Sequence, residues 1–303
     1  MINAGAKGEY RACVVGPDGN VKDSVDWFDN LLLDGFFSFI QGMTSAVYYG
    51  NQFKVLRVGT GTAEPVESQT VMGNLLASCS AGYAGSGQYA ESGITTNGTT
   101  WTCDCTMTFP FGQGQVVGNI TEVGFALNSS VGASIVHSRA LIKDGQNVLR
   151  PLTVTAEDQL IVTYKLTLSG SDSDTTGSIS LNGTLHNYIS RRTQNSVYPV
   201  GEWLTNNTGS TSAAYAASNG ALNAAGTAAT GTVASMTTDY EPGLVPGQRR
   251  MILSLATNEG NLSGGIKVIQ WGYSGKMEFT PPINKTSDMT LSLTVGYIIG
   301  RAS

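Results

Sequence analysis

Apolar and polar residues alternate with a period of two over long stretches of the chain. The clearest stretch runs from Thr102 to Phe111. Cys103, Cys105, Met107, Phe109 and Phe111 fall on one side, and Thr102, Asp104, Thr106 and Thr108 on the other. Successive side chains of a strand point to opposite faces, so this pattern predicts a half-buried strand. Residues 7–22 alternate in the same way and lead into Pro17-Asp18-Gly19-Asn20, which predicts a β-hairpin. Phe53 to Val58 reads as a further strand, followed by the turn-rich Gly59-Thr-Gly-Thr-Ala-Glu-Pro65. Beyond Cys79 the chain reads as short strands separated by Gly, Asn and Asp-Gly turns, at the roughly 8–12-residue spacing of β-sandwiches.

Two stretches break the period of two. Within residues 23–42, Val25, Phe28, Leu31, Leu32, Phe36 and Ile40 lie near helical spacing, which predicts an amphipathic helix capped by Asp23 or Asp26. Residues 66–78 follow Pro65 and carry Val71, Met72, Leu75 and Leu76 as an apolar stripe, which predicts a second short helix.

A diverged internal duplication is expected from two aligned blocks. Thr155-Ala-Glu-Asp-Gln-Leu160 matches Thr286-Ser-Asp-Met-Thr-Leu291 at an offset of 131, and the match continues through the strands that follow. Leu160, Val162, Tyr164, Leu166 and Leu168 fall on Leu291, Leu293, Val295, Tyr297 and Ile299. Upstream, Gly118-Asn-Ile120 matches Gly264-Gly-Ile266 at an offset of 146. The expected architecture is therefore mainly β: two tandem antiparallel β-sandwich-like domains, 1–170 with two short helices and 171–303 without.

Composition sharpens this picture. Charged residues make up 13% of the 303 positions, about half of the usual ~25%. Gly, Ser and Thr supply about a third of the chain, a composition suited to strands and turns. Residues 203–238 carry no charged side chain; such a segment is either a flexible linker or long loop, or is ordered against another subunit. The net charge is −5 and the 17 Lys and Arg are scattered, so the basic stripe that a phosphate backbone requires is missing and no nucleic-acid partner is expected. No apolar run reaches the length of a transmembrane helix. The first ten residues hold no apolar core of a secretory signal, so synthesis in the cytoplasm is expected.

Cysteines stand at 13, 79, 103 and 105 and histidines at 137 and 186. The Cys103-x-Cys105 pair lies on the apolar side of its strand, which favours buried thiols over a metal site. The histidines have no Cys, Asp or Glu at ligand spacing and are expected on the surface or in loops. Asp172, Asp174 and Thr176, with Gly177, match the first half of a calcium loop, but Gly183 stands where the bidentate acid would be. Neither metal nor cofactor is expected. Gly59-Thr-Gly61 lacks the remainder of a phosphate-binding motif and reads as a turn. Asp172, Asp174, Glu202, Asp239 and Glu241 could supply a glycosidase pair, yet no spacing selects two of them, and no enzyme is expected. Tyr198, Trp203, Tyr215 and Tyr240 flank or lie in the uncharged segment; aromatics of this kind pack in a core, meet another subunit or stack on a sugar.

Trp27-Phe-Asp-Asn-Leu-Leu32 follows a Gly19-Asn-Val hairpin, and Arg57-Val-Gly-Thr-Gly-Thr-Ala-Glu-Pro65 comes next. Ile120-Thr-Glu-Val-Gly-Phe125, Ser138-Arg-Ala-Leu141, Pro151-Leu-Thr-Val-Thr155 and the strand Leu160 to Leu168 complete the series. In that order the set resembles, over residues 7–168, a family of virion structural proteins of tailed bacteriophages, of the tail and tail-fibre type. It implies an antiparallel β-domain that assembles with copies of itself and with other virion proteins. The function expected is thus structural, in the tail or adsorption apparatus of the virion. The alternatives are a carbohydrate- or receptor-binding module at a fibre tip, meeting a host surface glycan, and a capsid decoration protein.

Overall fold

The computed structural model describes residues 2–42, 55–80, 89–126, 135–192, 214–219, 230–271 and 275–302. The chain is mainly β. Its first half runs β1 (Ile2–Val15), β2 (Val21–Asp29), β3 (Leu31–Leu32), helix α1 (Asp34–Gln41), β4 (Val55–Gly59), β5 (Leu75–Ser80), β6 (Tyr89–Glu91) and β7 (Thr95–Asn97). It continues through β8 (Thr100–Pro110), β9 (Gly118–Ile120), β10 (Glu122–Ala126), β11 (Ser138–Leu141), β12 (Leu152–Val154) and β13 (Gln159–Ser171). The second half holds β14 (Thr175–Leu181), β15 (Thr184–Arg191), β16 (Ala214–Asn219), β17 (Thr230–Pro242), β18 (Gln248–Leu255), β19 (Ile266–Trp271), β20 (Gly275–Ile283) and β21 (Leu291–Arg301).

In the first half, β13 lies between β1 and β8, and β2 folds back on β1. This layer faces a five-stranded sheet in the order β3-β11-β10-β4-β5. The two layers meet through rings. Phe125 of β10 stacks on Tyr164 of β13 at 4.5 Å, and Tyr164 lies 5.0 Å from Tyr10 of β1. Phe109 of β8 meets Phe125 edge-on at 6.2 Å, and the Tyr10 hydroxyl is 2.7 Å from Ser138 Oγ of β11. All four rings are fully buried, each worth about 1.5–3 kcal/mol of burial. The alternation of residues 102–111 appears as expected: Cys103, Cys105, Met107, Phe109 and Phe111 are buried.

The second half makes a second pair of layers. β17 is 13 residues long. Its first part pairs with β16 and its second with β18, so it bends from one layer into the other. One layer is β14-β15-β20-β19-β16 and the other is the end of β17 with β18 and β21. The strand order β20-β19-β16-β17 repeats that of β11-β10-β4-β5, and β18 pairs antiparallel with β21 as β8 does with β13. The turns before the last strands match too: Asp158 N–H donates to Thr155 O at 3.1 Å, and Met289 N–H to Thr286 O at 3.2 Å.

The halves share one ladder. Residues Ile2 to Ala6 of β1 run parallel to Tyr297 to Arg301 of β21, while the rest of that edge of β1 takes β2. β1 thereby joins both halves into a 14-stranded sheet among the described residues. Arg301 ties the same seam: its Nε donates to Leu32 O at 3.0 Å and its guanidinium meets Asp34 at 2.7 Å. Helix α1 buries Phe36, Phe37 and Ile40, and the segment between β17 and β18 hydrogen-bonds to its Phe37 and Gln41 carbonyls.

Three expectations change. The helix over 23–42 shrinks to Asp34–Gln41, because residues 21–29 form β2 on β1 instead. Neither aspartate caps it: Asp23 accepts from Ser24 N–H and Arg150, Asp26 accepts from Trp27 N–H, and the N-cap is Leu33 with no side-chain bond. The helix over 66–78 is not formed. Val71 and Leu76 of its supposed stripe are exposed, and the chain turns at Val66–Gln69 before entering β5. Finally, the uncharged segment 203–238 is partly built into its own chain. Residues 214–219 form β16 between β19 and β17, and Ala214, Ala216 and Ala217 are buried there, small enough for the layers to approach closely.

Candidate functional site

Three of the motif segments meet at one buried polar cluster. Glu122 opens β10 and Arg139 stands beside it on β11, both fully buried. Arg139 Nε donates to Glu122 Oε2 at 2.6 Å. The same carboxylate accepts backbone N–H bonds from Gly61 and Gly73 at 3.0 Å and from Asn74 at 2.6 Å. Arg139 also donates to Ala63 O at 2.8 Å and to Gln69 Oε1 at 3.2 Å. The cluster therefore straps residues 59–74 onto β10 and β11, two interior strands of the five-stranded sheet. The need for close approach explains the glycines: a Cβ at Gly61 would sit 2.6 Å from Glu122 Oε1, and one at Gly73 2.9 Å from Arg139 Nη2. Gly59-Thr-Gly61 is a cradle for a carboxylate of the same chain, and the N–H groups that a helix over 66–78 would use at Gly73 and Asn74 are spent on it.

Burial pushes the Glu122 carboxyl up, but the bonds from Asn74, Arg139 and Gly73 outweigh it and hold its pKa below the usual value. The group stays ionised, with its partners fixed and solvent excluded. Such a site offers no substrate access, so its chemistry is structural.

His137 stands just ahead of β11, two residues before Arg139. Both histidines are buried, contrary to the surface placement expected for them: His137 is 5% and His186 3% exposed. Each lies in or against a paired strand, so neighbouring strands cover the ring. His137 meets the Phe39 ring edge-on, and burial, with the Arg57 charge added, lowers its pKa to about 4. With the folded pKa depressed, stability is highest above about pH 6.5 and falls as the pH drops from there towards the folded value of about 4. Between pH 7 and pH 5 the wild-type chain should lose about 2 kcal/mol of unfolding free energy through this group. His137→Gln should flatten that slope, as read from denaturant unfolding at the two pH values; an unchanged slope would contradict the assignment.

Among the described residues, the sequence-predicted positions do not come together. Asp172 is bound by Arg192 at 2.8–2.9 Å through both carboxylate oxygens, Asp174 is bound by Arg191 at 2.6 Å, and Thr176 lies in β14. Two guanidinium groups thus stand where a calcium ion would need the acids. Glu241 pairs with Arg250 at 2.9 Å and Asp239 is exposed. Tyr198, Trp203 and Glu202 lie outside the described residues. Tyr215 sits in β16 opposite Ser235 and Gln270. Tyr240 is half-buried on β17, with the Arg249 guanidinium 5.2 Å from its ring centre.

The sheet margins differ in how they are guarded. β2 pairs only with β1 among the described residues and carries Lys22, Asp23, Asp26 and Asp29, charges that discourage pairing with another chain. β14 ends the large sheet and pairs only with β15 among the described residues. It reads Thr-Thr-Gly-Ser-Ile-Ser-Leu, with neither charge nor proline. Beside it on β15, Leu185 and Ile189 are exposed at 58% and 39%. No protein-family model matches the chain, and neither a curated protein nor a solved structure matches it.

Proposed function

We propose that the chain is a structural component of a tailed-phage virion, in the tail or adsorption apparatus, acting by assembly with copies of itself and with other virion proteins. The observation that carries this reading is the unguarded edge of β14. A neutral strand that pairs on one side only among the described residues invites a further strand on the other, and solitary proteins block such edges. This chain blocks β2 with four charged residues and leaves β14 bare. The exposed Leu185 and Ile189 extend the same margin as apolar contact area. The motif convergence also supports the reading. The segments that carry the resemblance to virion proteins build a sealed ion pair that stiffens a loop, which is what an assembling unit requires.

Analytical ultracentrifugation tests the assembly. The wild-type chain is expected to sediment as an oligomer at micromolar concentration. Ser178→Lys, at an exposed position in the middle of β14, should weaken association about tenfold or more by placing charge on that margin. A wild-type chain that stays monomeric over the whole concentration range would overturn the reading.

A further inference from the structure

The end of the second half holds a pocket of about 590 Å³, between the β14–β15 turn and the segment leading into β21. This size is that of a small-molecule site. Lys285 lines it and is only 5% exposed. Its Nζ makes two long bonds, to Asn261 Oδ1 and Thr286 O, each at 3.4 Å. Among the described residues no carboxylate lies within ion-pair distance of it. Asp288 is exposed; the Thr286 hydroxyl that it accepts, and to a smaller extent the Lys285 charge, hold its carboxyl below the usual value. A buried ammonium without an anion is costly, and proteins rarely keep one without a use. The equivalent position 131 residues earlier is Val154, buried in the core of the first half. The lysine is thus a charge placed where the fold takes a valine.

The rest of the pocket is polar on one side and apolar on the other. His186 is 3% exposed, and its Nδ1 donates to Pro281 O at 2.8 Å. With Nδ1 as the donor, Nε2 is the ring atom left to accept, suited to a hydroxyl. Thr290 adds a hydroxyl and Asn182 an amide, while Pro282 and Met289 form an apolar wall. An ammonium with no carboxylate in contact, a ring acceptor, hydroxyl and amide groups and an apolar wall together suit a sugar that carries a carboxylate.

We propose that this pocket binds an acidic monosaccharide unit, with its carboxylate on Lys285 and a ring hydroxyl on His186 Nε2. The site does not rest on the assembly reading, since a monomer would bind equally well.

Isothermal titration of the full chain with glucuronate, glucose and acetate tests it. Glucuronate should bind about tenfold or more tighter than glucose or acetate. Lys285→Gln should remove that advantage, Lys285→Arg should retain most of it, and thermal unfolding should show both variants folded. Equal binding of glucuronate and glucose would overturn the carboxylate contact. Equal binding of glucuronate and acetate would reduce the pocket to a general anion site and overturn the sugar. Should Lys285→Gln not fold, the wild-type amide spectrum decides. Shifts centred on His186 and Lys285 with glucuronate, and not with glucose, support the site, and shifts elsewhere overturn it.

Discussion

Glu122→Ala is expected to lower the unfolding free energy by about 3–5 kcal/mol. The substitution leaves Arg139 fully buried without its anion and strips three backbone N–H groups, those of Gly61, Gly73 and Asn74, of their acceptor. Each buried donor left unmatched carries a desolvation penalty of about 1–3 kcal/mol, reduced where the loop can open to water. Opening of residues 59–74 is therefore the expected structural response. Arg139→Met alone should cost a similar amount, and the double variant should cost much less than the sum, because the second change removes a charge already orphaned. Denaturant unfolding of the four proteins measures this. Additive losses would show that the two residues act separately and would contradict the strap. Gly61→Ala should mimic the loss in part, since its Cβ would press on the carboxylate.

Phe125→Ala should cost about 3–5 kcal/mol. Phe125 is the ring through which β10 meets both Tyr164 and Phe109, so truncation opens a cavity where the two layers touch. The neighbours cannot close it, because Tyr164 is pinned between strands on both sides and held against the tilted ring of Tyr10. Leu244→Ala is the control. Leu244 is 72% exposed, and its loss should change stability by no more than about 0.5 kcal/mol. Equal losses at the two positions would mean that the layers do not meet as described.

The strands were legible where one face is buried and the other wet. Residues 102–111 show this: the threonines and Asp104 alternate with cysteines and phenylalanine, and β8 follows that register. Helical spacing misled at 23–42 and 66–78 for a common reason. The apolar residues there satisfy partners distant in sequence, with Val25 buried against β1 and Met72 beneath Val136, and no local period records that. The buried ion pair was readable in principle. In a chain with 13% charged residues, Glu122 between Ile120 and Val123, and Arg139 beside Ala140 and Leu141, stand out as charges inside strand patterns. Their mutual contact depends on strand pairing, which spacing of 17 residues does not specify. Lys285 escaped notice likewise: its loop sequence, Asn284-Lys-Thr-Ser-Asp288, looks like any solvated turn. Only its burial sets it apart.

Immunogold electron microscopy of purified phage particles, with an antibody to this chain, tests the central proposal most directly. Gold on the tail or its appendages is the predicted result. Particles free of gold, with the chain left monomeric in the host lysate, would contradict it.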